Sequence, residues 1–371
     1  PLVGIGTVAG DGYINEDEAA SFTITGTASG ANSQTVTVTY GGVSETATVS
    51  SGAWTLTMCD DEVCSHSAGL SEVTANVNDA TGNSATEASV NAWYDVTDPT
   101  TTIGSVDISA DTGSSDTDFI TKTAGQTVTA TLSAALASDE TLQISVNAGS
   151  SWSDDNHATA DGTAVSIGGV TLGAGTSSIK FRISDAADNT GAVSTTAYTL
   201  DTTAPTLSTV TIASNNAVTT LTKDGDTITL TIGSSEDIQT PTCAVSINGN
   251  AATNTETISG SASSYTCTLV THDSDADGAV TFSIGFTDVG GTAGVAVTAV
   301  TSGSGVTHDD TVPTLSAVVE AVSGSGNGNN GDSVTLTITP SETIGTPTCT
   351  FASGGAAMAN TVTYSTSNAD H

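Results

Sequence analysis

The stretch Asp201-Thr-Thr-Ala-Pro205 sets the frame for the whole chain. It recurs as Asp95-Val-Thr-Asp-Pro99 and Asp309-Asp-Thr-Val-Pro313, and Pro1 stands where a further copy would end. The four prolines lie 98, 106 and 108 residues apart, about the length of one small β-sandwich. Proline fixes its own φ and has no N–H, so it ends one strand and stiffens the entry to the next. The period divides the chain into repeats at residues 1–98, 99–204, 205–312 and 313–371, joined by short acidic linkers. The fourth is short of its last strands. We therefore expect either a longer parent protein or a partner that completes the open edges.

Composition narrows the function. Four Lys+Arg stand against 40 Asp+Glu, a net charge of −36. Nucleic acid is excluded as a partner, because phosphate contacts need clustered Lys and Arg. Docking to an anionic membrane surface is excluded for the same reason, and no apolar run is long enough to cross a bilayer. The folded state must offset its own repulsion. Bound divalent cations would do so, and so would screening by high salt. His66, His157, His272, His308 and His371 are scattered one to a loop, and no Gly-x-Ser-x-Gly turn occurs. We expect no enzyme activity.

Thr-rich alternation gives the strands. Phe22-Thr-Ile24, Val36-Thr-Val38-Thr-Tyr40, Trp54-Thr-Leu56-Thr-Met58, Val73-Thr-Ala75-Asn-Val77 and Ala88 to Tyr94 each present one apolar face, as half-buried antiparallel strands do. The second repeat repeats the pattern at Gln126–Leu132, Leu142–Val146, Ile179–Ile183 and Thr195–Leu200, and the third at Thr227–Ile232, Cys243–Ile247, Tyr265–Val270, Val280–Phe286 and Val295–Val300. Trp54 and Trp152 are expected to plug two of the cores. Cys243 and Cys267 fall on strands of one repeat and are expected to pair. Cys59 and Cys64 flank an acidic loop and are expected to form a local disulfide, with free thiols or a thiol–metal site as the alternatives. Cys349 has no evident partner.

Several short motifs keep a fixed order within the period. They are Gly10-Asp-Gly-Tyr-Ile-Asn15-Glu, Thr25-Gly-Thr27, Asp79-x-x-Gly-Asn83, Asp111-Thr-Gly-x-Ser-x-Thr-Asp118-Phe-Ile-Thr121 and the Asp-Thr-Thr-Ala-Pro linker. Together they resemble the bacterial Ig-like repeats of giant biofilm-associated adhesins. The third and fourth repeats resemble a related Ig-like module of large bacterial surface proteins. The resemblance implies an all-β chain of tandem antiparallel Ig-like β-sandwich domains in an extended rod. It also implies an extracellular, cell-surface location and Ca²⁺ at the domain junctions.

Ca²⁺ takes six to eight oxygen ligands, and the acidic groups can be sorted by their distance in sequence from each linker. At the first junction this gives Asp79, Asn83, Asp95 and Asp98 with Asp116 and Asp118. At the second it gives Asp185, Asp188, Asn189 and Asp201 with Asp224 and Asp226, and at the third Asp288, Asp309 and Asp310 with Asp332. Asp11, Asn15, Glu16 and Asp17 would form half a site at the free N-terminal end. Asp273-Ser-Asp275-Ala-Asp277-Gly278 reads as the front of a Ca²⁺ loop, but Ile284 at its twelfth position excludes an EF-hand. Each of these residues is also a good turn former.

Two readings share this architecture. One is a Ca²⁺-stiffened stalk whose partners are neighbouring repeats. The other is a self-assembling filament or S-layer subunit in which a second copy completes the fourth repeat. A receptor- or glycan-binding module is a third, with no distinctive residues behind it.

Overall fold

The computed structural model describes residues 1–58, 67–155, 162–323, 331–353, 356–357 and 361–365. Cys59 and Cys64 lie outside the described residues.

Alternating apolar residues fold the first repeat into two facing sheets. One runs Leu2–Val8, Phe22–Ser29, Ala53–Met58, and the other Tyr13–Ile14, Ala88–Tyr94, Gly69–Val77, Thr35–Tyr40, Val43–Thr48. The inward residues Ile24, Val36, Val38, Tyr40, Met58 and Val73 are fully enclosed. Burial pushes the Tyr40 phenol up to about 12. Trp54 fills this core, its indole N–H donating to the Thr27 carbonyl at 3.2 Å.

The second repeat has the same plan. Ala164–Thr171, Gly125–Leu132 and Ile103–Ile108 face Ile120–Thr121, Ser194–Leu200, Gly175–Ser184, Thr141–Ser145 and Ser153–Asp155. Trp152 is not a core plug here. It is only partly buried, and the Arg182 guanidinium stacks 4.4 Å above its ring. Phe181 and Ile183 occupy the inward positions on either side of Arg182, so the pair sits on the outer face, where an apolar ring is covered by a cation instead of a core.

The third repeat pairs Leu207–Ser214, Thr227–Ser234, Ser264–Val270 and Thr257–Ser261 against Leu221–Thr222, Thr307–His308, Gly278–Gly285, Thr242–Ile247 and Asn250–Ala251. Cys243 and Cys267 form a disulfide that joins the two sheets, one cysteine on each. Val295–Val300 is not a strand. Val295 is exposed, Val297 makes one isolated bridge to Ile284, and Thr307–His308 takes the last-strand position. Val297 and Val300 pack only partly against the core, so the stretch lacks a continuous buried face. In the fourth repeat, Leu315–Val322 pairs with Val334–Pro340, and Ala352–Ser353 with Ala356–Ala357. Cys349 is free.

Candidate metal centres at the repeat junctions

One pairing fixes which loops meet at a junction. In each of the first three repeats a two-residue strand lies parallel to the last two residues of the final strand. Tyr13–Ile14 pairs with Trp93 and Tyr94, Ile120–Thr121 with Thr199 and Leu200, and Leu221–Thr222 with Thr307 and His308. The first linker Asp then donates its N–H back to the short strand: Asp95 to Ile14 O, Asp201 to Thr121 O and Asp309 to Thr222 O, at 3.0, 2.8 and 2.9 Å. These aspartates are structural equivalents. The loops around residues 9–20, 109–124 and 214–226 therefore sit at the exit end of their own repeat.

The Asp-x-x-x-Asn loops sit at the opposite, entry end. Each is braced by its Asp. Asp79 Oδ1 accepts from the N–H groups of Thr81 and Asn83, both at 2.9 Å, and Asp185 Oδ1 from those of Ala187 and Asn189 at 2.8 and 2.9 Å. Asp288 Oδ1 accepts from Thr292 N–H at 2.7 Å. The Asn83 side-chain amide, then the Thr81 hydroxyl, then the backbone N–H of Asn83, all donating to Asp79, hold its carboxyl far below the usual range.

The grouping by sequence distance is thereby corrected. Asp79 and Asn83 do not meet Asp116 and Asp118, and Asp185, Asp188 and Asn189 do not meet Asp224 and Asp226. Asp288 lies at the far end of the third repeat from Asp309 and Asp310. Asp332 follows the outgoing strand of the fourth repeat and is also away from the third junction. The physical reason is strand length. The final strand climbs about 3.3 Å per residue, so seven residues of Ala88–Tyr94 carry the chain the length of the sandwich between the loop and the linker.

At the first junction the structure brings together Asn15, Glu16, Asp17, Asp98, Asp188 and Asn189 around a small polar cleft. Asn15, Glu16 and Asp17 thus belong to a shared junction and not to a free end, while Asp11 braces its own loop by accepting from Tyr13 N–H at 2.9 Å. Asn189 ties it together: its Oδ1 accepts from Glu16 N–H at 3.0 Å, while its Nδ2 donates to Asp95 O at 2.8 Å and Asp185 Oδ2 at 2.9 Å. Glu18, which the sequence reading passed over, is held here. Burial and then the charges of Asp11, Asp17 and Asp188 push its carboxyl up, against the opposing hydrogen bond from Asn15.

At the second junction the carboxylates of Asp201, Glu236 and Asp288 converge, with one oxygen from each lying within 4.8 Å of the others. Asp288 is fully buried and its Oδ2 has no hydrogen-bond partner. Burial, then the charges of Asp201 and Asp288, raise the Glu236 carboxyl above its usual range. Glu236 was missed, although its repeat signature is visible: Ser235-Glu236-Asp-Ile238 returns as Ser341-Glu342-Thr-Ile344. The preceding Ser is bracketed identically in both, with Ser235 N–H donating to Thr206 O at 2.8 Å and Ser341 N–H to Thr314 O at 2.7 Å. Asp116, Asp118 and Asp111 lie on the exit loop of the second repeat at this junction. Asp111 Oδ1 is buried without a partner, and burial raises this carboxyl despite the bond from Phe119 N–H.

At the exit end of the third repeat, Asp224 N–H donates to Asp310 Oδ1 at 3.2 Å and Asp310 N–H to Asp277 Oδ1 at 2.7 Å, while the Thr311 hydroxyl donates to Asp277 Oδ2. The bond from Asp310 N–H, then that from Thr311, holds the Asp277 carboxyl low. Asp226 accepts from Asn216 Nδ2 at 2.8 Å, which lowers it too. Asp273, Asp275 and Asp277 do not converge. Asp273 meets His272 Nδ1 at 2.7 Å, Asp275 braces Thr253 N–H and His272 N–H, and Asp277 faces the linker.

No family model and no curated protein matches the sequence. Solved structures resemble the fold. A fragment of a 1.5-MDa bacterial ice-binding adhesin is 18% identical, with 83% of this chain and 97% of that one covered, at a TM-score of 0.30. A tetra-tandem repeat from the extending region of a large adhesion protein is 19% identical, covers 91% and 87%, and scores 0.28. The structural neighbours include bacterial adhesin repeats, fibronectin-III-like modules and Ig domains of titin. The fibronectin-III-like modules of Clostridium thermocellum CbhA are 13% identical, cover 54% and 94%, and score 0.34. The sandwich assignment rests on the strand order above and not on these scores.

Proposed function

We propose that the chain is a stretch of stalk in a non-enzymatic, extracellular structural or adhesive protein at a bacterial cell surface, with Ca²⁺ holding its Ig-like repeats at fixed angles. The observation behind this is the second junction. Three carboxylates gather there, and Asp288 Oδ2 is buried and unpartnered. A lone buried carboxylate oxygen is costly, and an all-oxygen donor set suits a hard cation. Asp201 and Asp288, with Glu236, would hold one ion. Asn15, Glu16, Asp17, Asp98 and Asp188 would hold another at the first junction, and Asp224, Asp277, Asp309 and Asp310 a third.

The ion would supply positive charge and couple the linker to the repeats it joins. At tenfold saturation each site contributes about 1.4 kcal/mol by mass action, enough to bias a hinge. Small-angle scattering of the full chain at millimolar Ca²⁺ and after chelation tests the reading. A maximum dimension that shortens and a profile that broadens on chelation support it. An unchanged profile counts against it.

A further inference from the structure

The two complete junctions are not built alike. At the second, the exit loop of repeat two lies directly on the entry loop of repeat three. Three consecutive carbonyls there each accept one bond: Val289 O from Ser114 N–H at 3.1 Å, Gly290 O from Thr112 Oγ1 at 2.8 Å and Gly291 O from Lys122 Nζ at 2.7 Å. Thr292 Oγ1 returns a longer bond, 3.4 Å, to Asp201 O. Two glycines permit the approach. A Cβ on Gly113, where φ is +116°, would stand 2.0 Å from Val289 O, and one on Gly291 would stand 3.1 Å from Gly113 N.

The donor arm is pre-organised from within its own repeat. Buried Gln126 accepts from Ala110 N–H at 2.8 Å and donates to Thr123 O at 2.7 Å, and the Thr121 hydroxyl donates to Ala110 O at 2.6 Å. Thr112 Oγ1 also accepts from Lys122 N–H at 2.9 Å. Lys122 thus brings an ammonium group to a junction whose other charged residues are acidic. Among the described residues the first junction has no counterpart to this triple contact. Its repeats are joined through Asn189, to Glu16 N–H and Asp95 O.

We infer that Thr112, Ser114 and Lys122 form an ion-independent clasp. Junction two stays closed when divalent cations are removed, and junction one is the ion-dependent hinge. The half that concerns junction one rests on the calcium reading above. The clasp itself does not.

Two amides report the two junctions separately. Ser114 N–H is bonded only across junction two and Glu16 N–H only across junction one. Amide hydrogen exchange at single-residue resolution on the full chain reads both. In the wild type, chelation is expected to speed Glu16 exchange by about tenfold or more and to change that of Ser114 by less than about threefold. In Thr112→Val/Lys122→Met, Ser114 exchange is expected to rise by about tenfold or more after chelation, while amides of the core strand Gly175–Ser184 stay protected. Ser114 exchange that rises on chelation of the wild type as much as that of Glu16 would overturn the clasp. So would an unchanged Ser114 in the double variant. A Glu16 amide indifferent to chelation, with Ser114 still freed by the double substitution, would sink the calcium hinge and leave the clasp standing.

Discussion

Replacing Asp288 with Asn should stabilise the ion-free protein, and calcium should cut that advantage by about 1.4 kcal/mol. Asn keeps the Oδ1 acceptor for Thr292 N–H and the volume of the buried side chain, and it removes one negative charge. Asp201 and Glu236 each bring a carboxylate oxygen within 4.8 Å of Asp288. At an effective dielectric constant of about 20, one such pair repels by about 3 kcal/mol. Relief of part of this, with the new amide N–H groups facing two carboxylates, should make Asp288→Asn about 1–3 kcal/mol more stable than the wild type in EDTA.

With calcium at tenfold its dissociation constant the wild type gains about 1.4 kcal/mol, or roughly 6–10 °C in the midpoint of a domain this size. The variant should gain almost nothing. Differential scanning calorimetry of the full chain, with and without calcium, reads both numbers, and the transition of repeat three is the one displaced in a Cys243→Ala/Cys267→Ala variant. A variant destabilised equally in both conditions would refute the reasoning, since it would leave Asp288 as a loop brace and nothing more.

Three further outcomes follow from the same structure. Removing the Cys243–Cys267 bridge, which closes 24 residues, should cost repeat three about 3 kcal/mol on the chain-entropy account, read by the same calorimetry with the other repeats unmoved. Gly26→Ala should destabilise repeat one by about 1–3 kcal/mol or more, because its Cβ would fall 2.2 Å from the Trp54 ring and 2.3 Å from Gly4 O; urea unfolding followed by Trp fluorescence checks this. Glu236 is raised above 4.5 in the folded state, so the folded protein binds more protons there than the unfolded one as pH climbs past that value. Ion-free stability of repeat three should therefore fall as pH rises through that window, while calcium affinity rises, since the ion competes with the Glu236 proton; titration calorimetry at pH 4.5 to 7 would show a flat affinity if the assignment is wrong.

The strands were largely legible because Thr–apolar alternation is a period-two signal and survives without tertiary context. The repeat frame was legible for the same reason, since Asp95, Asp201 and Asp309 make the same backbone bond. Trp152 was misread because an aromatic beside a turn carries no sign of which face it takes; only the strand register, with Phe181 and Ile183 inward, puts it beside Arg182. The sequence offered acidic candidates, but not which of them meet. Distance along the chain says nothing about which end of a sandwich a loop occupies, and a full-length final strand lies between Asp79 and Asp95. Glu236 was overlooked because it follows a strand as any surface Glu might. Its copy at Glu342 was the available clue.

Calcium binding by the oxygen ligands gathered at the junctions is what the proposed stalk requires. The most direct test is a crystal structure of the chain grown at about 10 mM calcium, well above the range usual for extracellular modules. An ion is expected at the second junction within about 2.3–2.6 Å of oxygens from Asp201, Glu236 and Asp288. Junction density holding only water, with the three carboxylates turned apart, would contradict it.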